Sequence, residues 1–222
     1  MNAKELIARR IALEVKAGEL INLGIGLPTM VTKYLPPNLH AFFQSENGLV
    51  GMQALEEMGL RDDFLTDAGG AFISAIPGAS TFDSCMSFGL IRGGHLNMTV
   101  IGGLQVDEQG RLANWMVPGK IVPGMGGAMD LVTGTKRVIV AMTHTANGQP
   151  KVVKQCSLPL TSQRPVNLVV TELAVIEPTA QGLLLKEVAP GVTIDQVIQA
   201  TDAPLIVPSG VVPTMPIVVP KP

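Results

Sequence analysis

The residues with the clearest chemical potential are Ser-Glu-Asn-Gly at positions 45–48, which follow a short apolar segment. They place one carboxylate, Glu46, on a tight turn beside a glycine that would let another molecule come close. Further glycine turns lie upstream at residues 22–28 and downstream at residues 123–130. A carboxylate among such turns suits a reaction in which Glu46 attacks a carbonyl carbon while backbone amides hold the resulting oxyanion. The pattern indicates acyl transfer without a metal, a serine or a cysteine nucleophile.

Each of these three segments also has a purely structural interpretation, and the residues alone leave the choice open. Asn-Gly is a common hairpin turn, so Glu46 fits a solvated turn residue as well as a nucleophile. Asn22 fits either a turn-stabilising amide or a side-chain donor to a ligand. The cluster at residues 124–130 fits either a tight connection or a nest of free amides that opens a short helix and holds an oxyanion or phosphate.

The first glycine turn resembles the start of a dinucleotide-binding fingerprint, but it departs from that fingerprint in two ways. Gly24 and Gly26 have the right spacing, whereas Thr29 stands where the last glycine belongs. The acidic residue expected about 20 residues later is also missing, because positions 42–45 are Phe, Phe, Gln and Ser. A nicotinamide cofactor is therefore disfavoured, while contact of the backbone amides with an anion or a carbonyl stays open.

Metal and thiol chemistry are disfavoured by the spacing of the residues that would perform it. His40, His95 and His144 are scattered, and none has metal-ligand spacing with a cysteine or a carboxylate pair. Cys85 and Cys156 are distant from each other and neither is paired with a base, which is typical of small buried residues in a reduced compartment. We predict no metal site and a cytoplasmic location, since no secretory or transit segment is recognisable.

Composition and charge argue against two further classes of partner. The 222 residues carry a net charge of −2 without a basic run, whereas nucleic-acid binding needs a concentrated Lys/Arg patch. The longest uncharged stretch, residues 203–220, contains five prolines, a density that a membrane-spanning helix would not tolerate. We predict no nucleic acid and no membrane as partners, and an extended tail from about residue 207 that lies on this subunit or on a neighbour.

The distribution of apolar residues predicts one α/β domain over residues 1–222. Hydrophobic residues make up 46% and aromatic residues only 4% of the chain, so the core must rest on aliphatic side chains. Such a core is typical of parallel sheets that are covered on both faces. Strand-like segments alternate with helical patterns, so we expect a mostly parallel sheet flanked by helices. In such a sheet the ligand site lies beyond the carboxyl ends of the strands.

The predicted elements follow from periodicity and from turn residues. Pro28 fits the first position of a helix that Pro36 ends, and Asp83 and Thr193 are candidate helix caps. The predicted helices cover residues 3–17, 28–35, 56–61, 83–90 and a last segment that begins after Thr193. The predicted strands cover residues 19–23, 41–44, 98–101, 137–142, 167–171 and a late edge strand at 183–186.

Taken together, these segments resemble the β subunit of the two-subunit family I coenzyme A (CoA) transferases, the 3-oxoacid CoA-transferases. The resemblance covers about residues 4–205, in order and at matching spacing. The matching pieces are N-L-G-I-G-L-P-T at 22–29, Q-S-E-N-G at 44–48, R-G-G-H at 92–95, G-G-L-Q-V-D at 102–107, L-A-N-W-M-V-P-G-K at 112–120, C-S-L-P-L at 156–160, T-E-L-A-V at 171–175 and E-V-A-P-G-V-T at 187–193.

The resemblance implies a role for particular residues and a fold, the open sandwich shared with sugar-phosphate isomerases. The glutamate of the family's S-E-N-G motif is the nucleophile, which here is Glu46. The asparagine before the first glycine turn, here Asn22, would contact the thioester. Gly127 and Ala128 match the family's G-G-A-M segment and would present amides to the thioester oxygen. The expected neighbourhood of the substrate pocket comprises Gly24, Gly26, Asn47 and Gly48.

The implied activity moves CoA between a short-chain acyl-CoA (succinyl-, acetyl- or butyryl-CoA) and a 3-oxo acid such as acetoacetate. It proceeds by ping-pong kinetics through a glutamyl-CoA thioester. No cofactor is bound permanently, and CoA and acyl-CoA enter as substrates. The resemblance also implies a separate α subunit as partner, in an αβ or (αβ)2 assembly.

Two departures from the family pattern leave the donor and acceptor acids open. Gln53 stands in a segment where the family has a second glycine and a proline, and Gly70 stands where many members have a lysine. Both lie near the expected acyl pocket. The alternative activities are acyl-CoA hydrolysis, transfer to other carboxylic acids on the same scaffold, and a non-catalytic domain that senses a ligand.

Overall fold

The architecture is a ten-stranded sheet with helices on both faces. The computed structural model describes residues 1–55, 61–119 and 124–218. The strands follow the order β15-β14-β13-β12-β8-β5-β1-β2-β3-β4, and neighbours in this order are hydrogen-bonded. The central strands β2, β1, β5, β8 and β12 are parallel, and antiparallel strands extend the sheet on both sides.

The bounds of the elements place short strands between glycine-rich turns. The helices are α1 (Ala3–Ala12), a 3₁₀ helix (Pro28–Tyr34), α2 (Ser84–Arg92), α3 (Ala128–Gly134) and α4 (Ile194–Gln199). The strands are β1 (Leu20–Leu23), β2 (Phe42–Ser45), β3 (Leu49–Ala54), β4 (Ile73–Thr81), β5 (Met98–Gly102), β6 (Gln105–Asp107), β7 (Leu112–Ala113), β8 (Arg137–Ala141), β9 (Thr145–Ala146), β10 (Gln149–Pro150), β11 (Val152–Val153), β12 (Leu168–Val170), β13 (Ala174–Thr179), β14 (Gly182–Val188) and β15 (Leu205–Ile206).

The central strands are apolar on both faces because each face packs into a separate core. Along β8, Val138 and Val140 point into the core that contains α3 and α4. Ile139 and Ala141 point to the other side, into the core that contains α1 and the 3₁₀ helix. This alternation is the pleat of a strand that is buried on both faces. The predicted α/β class with a sheet of parallel central strands is confirmed.

The predicted helices are largely confirmed, with one that ends early. The helix predicted over residues 3–17 ends at Ala12, and the chain then continues in tighter turns, with Val15 N–H donating to the Ala12 carbonyl. Residues 28–34 form a 3₁₀ helix instead of an α-helix. Asp83 and Thr193 accept backbone N–H groups as the predicted caps of α2 and α4. The helix predicted at 56–61 lies, apart from residue 61, outside the described residues.

The predicted late strand at residues 183–186 is confirmed as part of β14, but its predicted position at the edge of the sheet is wrong. β14 covers these residues and pairs with β13 on one side and with β15 on the other. The edge is therefore formed by β15, which has only two residues and follows Pro204. A two-residue strand next to a proline has no periodicity from which it could be predicted.

The described part of the tail packs on its own subunit, which is one of the two predicted arrangements. Its backbone forms a short parallel bridge with β14, in which Met215 N–H donates to the Val188 carbonyl at 2.7 Å. The side chain of Met215 is buried in the same core as α1. In residues 1–55, 61–119 and 124–218, no helix is long and apolar enough to cross a membrane.

The turn between β2 and β3 is a three-residue hairpin loop, residues 46–48, and Gly48 is required in it. Gly48 has φ +127°, and a Cβ built on it would lie 1.9 Å from the Phe82 carbonyl oxygen. The close approach also allows a backbone hydrogen bond, in which Phe82 N–H donates to the Gly48 carbonyl at 2.9 Å. The sequence predicted that this glycine admits another molecule, whereas the structure uses it to admit a later segment of the same chain.

We expect Gly48→Ala to destabilise the fold more than Gly78→Ala does. Gly78 also has a positive φ of +88°, but a Cβ there would meet nothing within 4 Å. Both variants carry backbone strain of about 1–3 kcal/mol, and only Gly48→Ala adds the clash with Phe82. Urea unfolding of the two variants measures the difference, and equal losses of stability would contradict the interpretation.

His144 is a completely buried residue beyond the end of β8, held between two threonines. Its Nδ1 lies 2.9 Å from Thr171 Oγ1 and its Nε2 lies 2.8 Å from Thr201 Oγ1. Thr201 donates its own proton to the Val197 carbonyl at 2.7 Å, so Nε2–H donates to Thr201. Nδ1 then accepts from Thr171, whose alternative bond to the Ala174 carbonyl is longer at 3.2 Å. Burial lowers the pKa of His144 to about 4, so the imidazole is neutral in the folded protein at neutral pH.

We expect this histidine to make the fold sensitive to mild acid. Between pH 6.5 and about 4 the unfolded chain binds a proton at position 144 that the folded chain excludes. The stability that the neutral His144 contributes is fully present above pH 6.5. Up to about 3 kcal/mol of the free energy of unfolding is lost as the pH falls to about 4. Urea unfolding of wild type and His144→Gln at pH 7 and pH 4.5 tests this. From pH 7 to pH 4.5 the free energy of unfolding of the wild type should fall relative to that of His144→Gln. A difference between the two proteins that stays the same at both pH values would contradict the assignment.

Candidate active site

A cleft of about 570 Å³ opens beyond the carboxyl ends of the parallel strands β1, β2 and β5. The residues that directly follow these strands line it, namely Gly24, Glu46 and Gly103. Further walls come from residues 67–69 and from residues 124–128 at the start of α3. The cleft lies where the fold class predicts a ligand site.

Glu46 is the first residue of the hairpin turn and is half-buried in this cleft. Its Oε2 lies 3.4 Å from Nδ2 of Asn22, a side chain that is 1% exposed. The two interpretations of residues 45–48 are therefore compatible, because a hairpin turn carries the carboxylate into the cleft. The antiparallel return of β3 fixes where β2 ends and thus where the carboxylate points.

Gly127 faces the same carboxylate from the other side. A Cβ built on Gly127 would lie 2.9 Å from Glu46 Oε1 and 3.3 Å from Cζ of Phe88. Gly127 is also the N-cap of α3 and provides no capping side chain. The first amides of a helix lack intrahelical acceptors and carry the positive end of its dipole. The absence of a side chain at residue 127 thus lets a carboxylate approach an electropositive stretch of backbone.

Ala128 lines the cleft as predicted, but its amide is engaged within the chain. Its N–H donates to the Met125 carbonyl at 3.2 Å, a long hydrogen bond. This bond would have to be shared or given up for the Ala128 amide to hold an oxyanion. The predicted cluster at 124–130 is therefore both a tight connection and the opening of a short helix.

The structure brings together five of the eight predicted site residues as lining of one cleft, namely Asn22, Gly24, Glu46, Gly127 and Ala128. Gly26, Asn47 and Gly48 do not line it. Asn47 instead donates from Nδ2 to the Thr66 carbonyl at 2.8 Å, which ties the hairpin to the loop before β4. Gly26, with φ +86°, shapes the exposed turn after β1.

The sequence reasoning missed a layer of buried polar side chains beneath Glu46. Asn22, Gln44 and Thr99 occupy the same register on three adjacent strands, with Asn22 on the middle strand β1. Each is at most 1% exposed. A polar residue in a strand that is otherwise apolar was the available signal, but its neighbours depend on strand order and register. Neither can be read from one strand alone.

The loop at residues 67–70 forms a wall by its own hydrogen bonds. Asp67 Oδ1 accepts from the N–H groups of Gly69 and Ala71 at 2.8 and 2.9 Å. Ser45 Oγ accepts from Ala68 N–H at 2.9 Å and joins this loop to the end of β2. Gly70 has φ +80°, so a lysine in its place would be strained in this turn.

Gln53, the other departure from the family pattern, lies outside the lining of the cleft. It is exposed on β3, with its Nε2 3.4 Å from Ser74 Oγ. The preceding residue, Met52, points to the opposite side of the strand and lines the cleft.

Thiol chemistry at Cys156 is disfavoured by its surroundings. Burial, with a smaller contribution from the nearby Asp107 carboxylate, raises the pKa of the Cys156 thiol to about 12. A thiol with this pKa is a poor source of the nucleophilic thiolate. Within residues 1–55, 61–119 and 124–218, no group of three or more His, Cys, Asp or Glu residues is placed to hold a metal ion.

Comparison with solved structures identifies the fold. An acyl-CoA transferase from Escherichia coli O157:H7, crystallised as the apoenzyme, superposes with a TM-score of 0.78 at 22% identity. The match covers 97% of this chain but only 43% of that longer chain. Glutaconate CoA-transferase from Acidaminococcus fermentans has a TM-score of 0.69 at 20% identity, over 92% of this chain and 86% of the other.

Comparison of sequences identifies the family. The beta subunit of the Haemophilus influenzae acetate CoA-transferase is 54% identical over 208 residues, which cover 93% of each chain. The B subunit of the Helicobacter pylori succinyl-CoA:3-ketoacid CoA-transferase is 48% identical over 201 residues, which cover 90% of this chain and 97% of that one. The family model of coenzyme A transferase matches residues 4–200. The family predicted from the motifs is confirmed: this chain belongs to the coenzyme A transferases.

Proposed function

We propose that this chain is the β subunit of a CoA-transferase in which Glu46 carries the acyl and then the CoA group. The transfer moves CoA between a short-chain acyl-CoA and a 3-oxo acid such as acetoacetate. The observation that supports it best is the position of Glu46. Its carboxylate lies between the Asn22 amide and the side-chain-free backbone of Gly127 in a cleft at the strand ends.

The chemistry proceeds without any net gain or loss of protons. One carboxylate oxygen of Glu46 attacks the thioester carbonyl carbon, the C–S bond breaks, and CoA leaves as a thiolate, which gives a mixed anhydride. The thiolate then attacks the glutamyl carbonyl carbon, and the donor acid leaves as a carboxylate. The resulting glutamyl-CoA thioester is attacked by the acceptor carboxylate, and the same two steps in reverse deliver the new acyl-CoA.

The residues around Glu46 fit the charge that develops in these steps. Each attack places negative charge on a carbonyl oxygen, and preorganised donors stabilise that charge most effectively. Asn22 offers a buried amide that is already oriented, and Gly127 lies at the electropositive start of α3. The mechanism also requires that the assembled enzyme keeps water from the anhydride and the thioester, both of which water would hydrolyse.

The similar proteins support short acids as substrates. Two of them are named as beta subunits of acetate CoA-transferase and two as B subunits of succinyl-CoA:3-ketoacid CoA-transferase. These names support acetyl- and succinyl-CoA as donors, and butyryl-CoA is proposed from the motif resemblance alone. In this proposal CoA enters as a substrate instead of a permanent cofactor.

A second subunit completes the proposed enzyme. The sequence relatives are named as beta or B subunits, and this chain spans less than half of the longer acyl-CoA transferase chain that it matches. We infer an α subunit as partner in an αβ or (αβ)2 assembly, and a cytoplasmic location. Cys85 and Cys156 are both free thiols, which fits a reduced compartment.

We expect Glu46→Gln to abolish CoA exchange in the αβ complex, by at least about 10³-fold, because the amide cannot form the anhydride. Mass spectrometry of the wild-type complex after incubation with acetoacetyl-CoA should find CoA attached at Glu46. The variant should show no adduct. Glu177→Gln, on β13, makes the same change far from the cleft and serves as the matched control.

Three outcomes would contradict this mechanism. Exchange by Glu46→Gln at a near-normal rate would exclude Glu46 as the nucleophile. An adduct that water removes rapidly, with net loss of the thioester and no transfer to an added acid, would assign the chain to the acyl-CoA hydrolases. CoA binding without any adduct or need for a partner would favour a sensing domain.

We expect Gly127→Ala to lower the exchange rate by about 100-fold while the protein stays folded. The new methyl group would lie 2.9 Å from Glu46 Oε1 and would push the carboxylate away from the thioester, and misplacements of about 1 Å have effects of this size. Gly89→Ala, on the exposed face of α2, meets nothing within 4 Å and is the control. A Gly127→Ala enzyme within twofold of wild type would contradict the role of this close approach.

A further inference from the structure

The Asn22 side chain has a fixed orientation in the polar layer beneath Glu46. Its Nδ2 donates to Gln44 Oε1 at 2.9 Å and to the Gln44 main-chain carbonyl at 3.3 Å, and it points to Glu46 Oε2 at 3.4 Å. Its Oδ1 accepts from Thr99 Oγ1 at 3.4 Å. An amide rotated by half a turn would present its oxygen to the Glu46 carboxylate and repel it.

Gln44 determines this orientation more strongly than Thr99 does. Its bond to Asn22, at 2.9 Å, is shorter than the 3.4 Å bond of Thr99, and a hydroxyl can both donate and accept, so Thr99 would tolerate either orientation. A glutamine oxygen only accepts. As long as Gln44 Oε1 faces Asn22, the Asn22 group that faces it must be the NH₂.

Ser87 in turn holds the side chain of Gln44 in position. Gln44 Nε2 donates to Ser87 Oγ at 2.8 Å, and both residues are 0% exposed. The Ser87 hydroxyl can accept or donate, so it holds the Gln44 side chain in place without choosing its orientation. The acceptor end of Gln44 stays with Asn22 because Asn22 Nδ2 also faces the Gln44 main-chain carbonyl and Glu46 Oε2, which only accept. A chain of side-chain bonds thus runs from helix α2 through β2 to the residue beside the carboxylate.

We propose that Gln44, held by Ser87, is a positioning residue that fixes the Asn22 amide with its donor towards Glu46. The inference rests on the proposed function, in which Asn22 stabilises the developing oxyanion. Gln44 contacts neither substrate nor the reacting atoms and acts through Asn22. The competing view is that Gln44 only joins the sheet to α2.

The test uses the αβ complex and two variants of the chain. In Gln44→Met the side-chain acceptor for Asn22 is lost at similar volume, so that only the longer bond to the main-chain carbonyl of residue 44 remains, and in Ser87→Ala the acceptor for Gln44 is lost. The rate of CoA adduct formation from acetoacetyl-CoA and the kcat of exchange should fall about tenfold in Gln44→Met and by a smaller factor in Ser87→Ala. KM should stay within twofold, because the CoA-binding contacts are unchanged. Gln181→Met, in an exposed turn, is the matched control.

A double-mutant cycle with Asn22→Ala separates positioning from a structural role. If Gln44 acts through Asn22, Gln44→Met has no further effect on kcat in the Asn22→Ala background. If Gln44 only joins the sheet to the helix, the two losses multiply, and the inference is overturned. Where Gln44→Met fails to fold, Ser87→Ala with Asn22→Ala gives the same comparison.

The outcomes also separate this inference from the proposed function. A wild-type complex that forms no adduct at Glu46 refutes the proposed function, and the positioning role falls with it. A wild-type complex that forms the adduct, together with Gln44→Met within twofold of its rate, refutes the positioning role alone.

Discussion

The contact on which the site depends is the approach of the Glu46 carboxylate to the backbone at Gly127. It requires that residue 127 has no side chain and that the β2–β3 turn ends β2 at Ser45. It also requires α3 to begin where it does, and α2 holds α3 there. Ile91 of α2 and Leu131 of α3 share a small buried apolar cluster, and the exposed Arg92 adds an ion pair with Asp130. The positions of α2, α3 and the β2–β3 hairpin thus together set the distance between the Glu46 carboxylate and the Gly127 backbone.

The core strands of the fold were predictable because each can be recognised from the apolar pattern of its own residues. Runs such as Met98–Gly102 and Arg137–Ala141 are apolar along most of their length, which few structures other than a doubly covered parallel sheet accommodate. The failures are of two kinds. The edge strand Leu205–Ile206 is too short to have a period, and the end of α1 depends on how residues 13–15 return to the core. Both depend on tertiary contacts instead of local preference.

The site was predictable residue by residue but not as an arrangement. Motif resemblance identified Glu46, Asn22 and Gly127, and the structure places all three in one cleft. The layer beneath them was missed because the neighbours of Gln44 are set by strand order. Gly48 shows the opposite error: a glycine in the same turn as the candidate nucleophile was assigned to a ligand, although a distant carbonyl of the same chain occupies that space.

The tail has a consequence for how the protein is made. Met215 and Ile7 belong to the same core, and Arg9 donates to the Val218 carbonyl at 2.7 Å, so segments from opposite ends of the chain close one side of the sheet. Contacts of such separation form late and slowly. During synthesis the α1 side of the sheet therefore stays incomplete until residue 218 has emerged from the ribosome. Until then its aliphatic surface is available to chaperones.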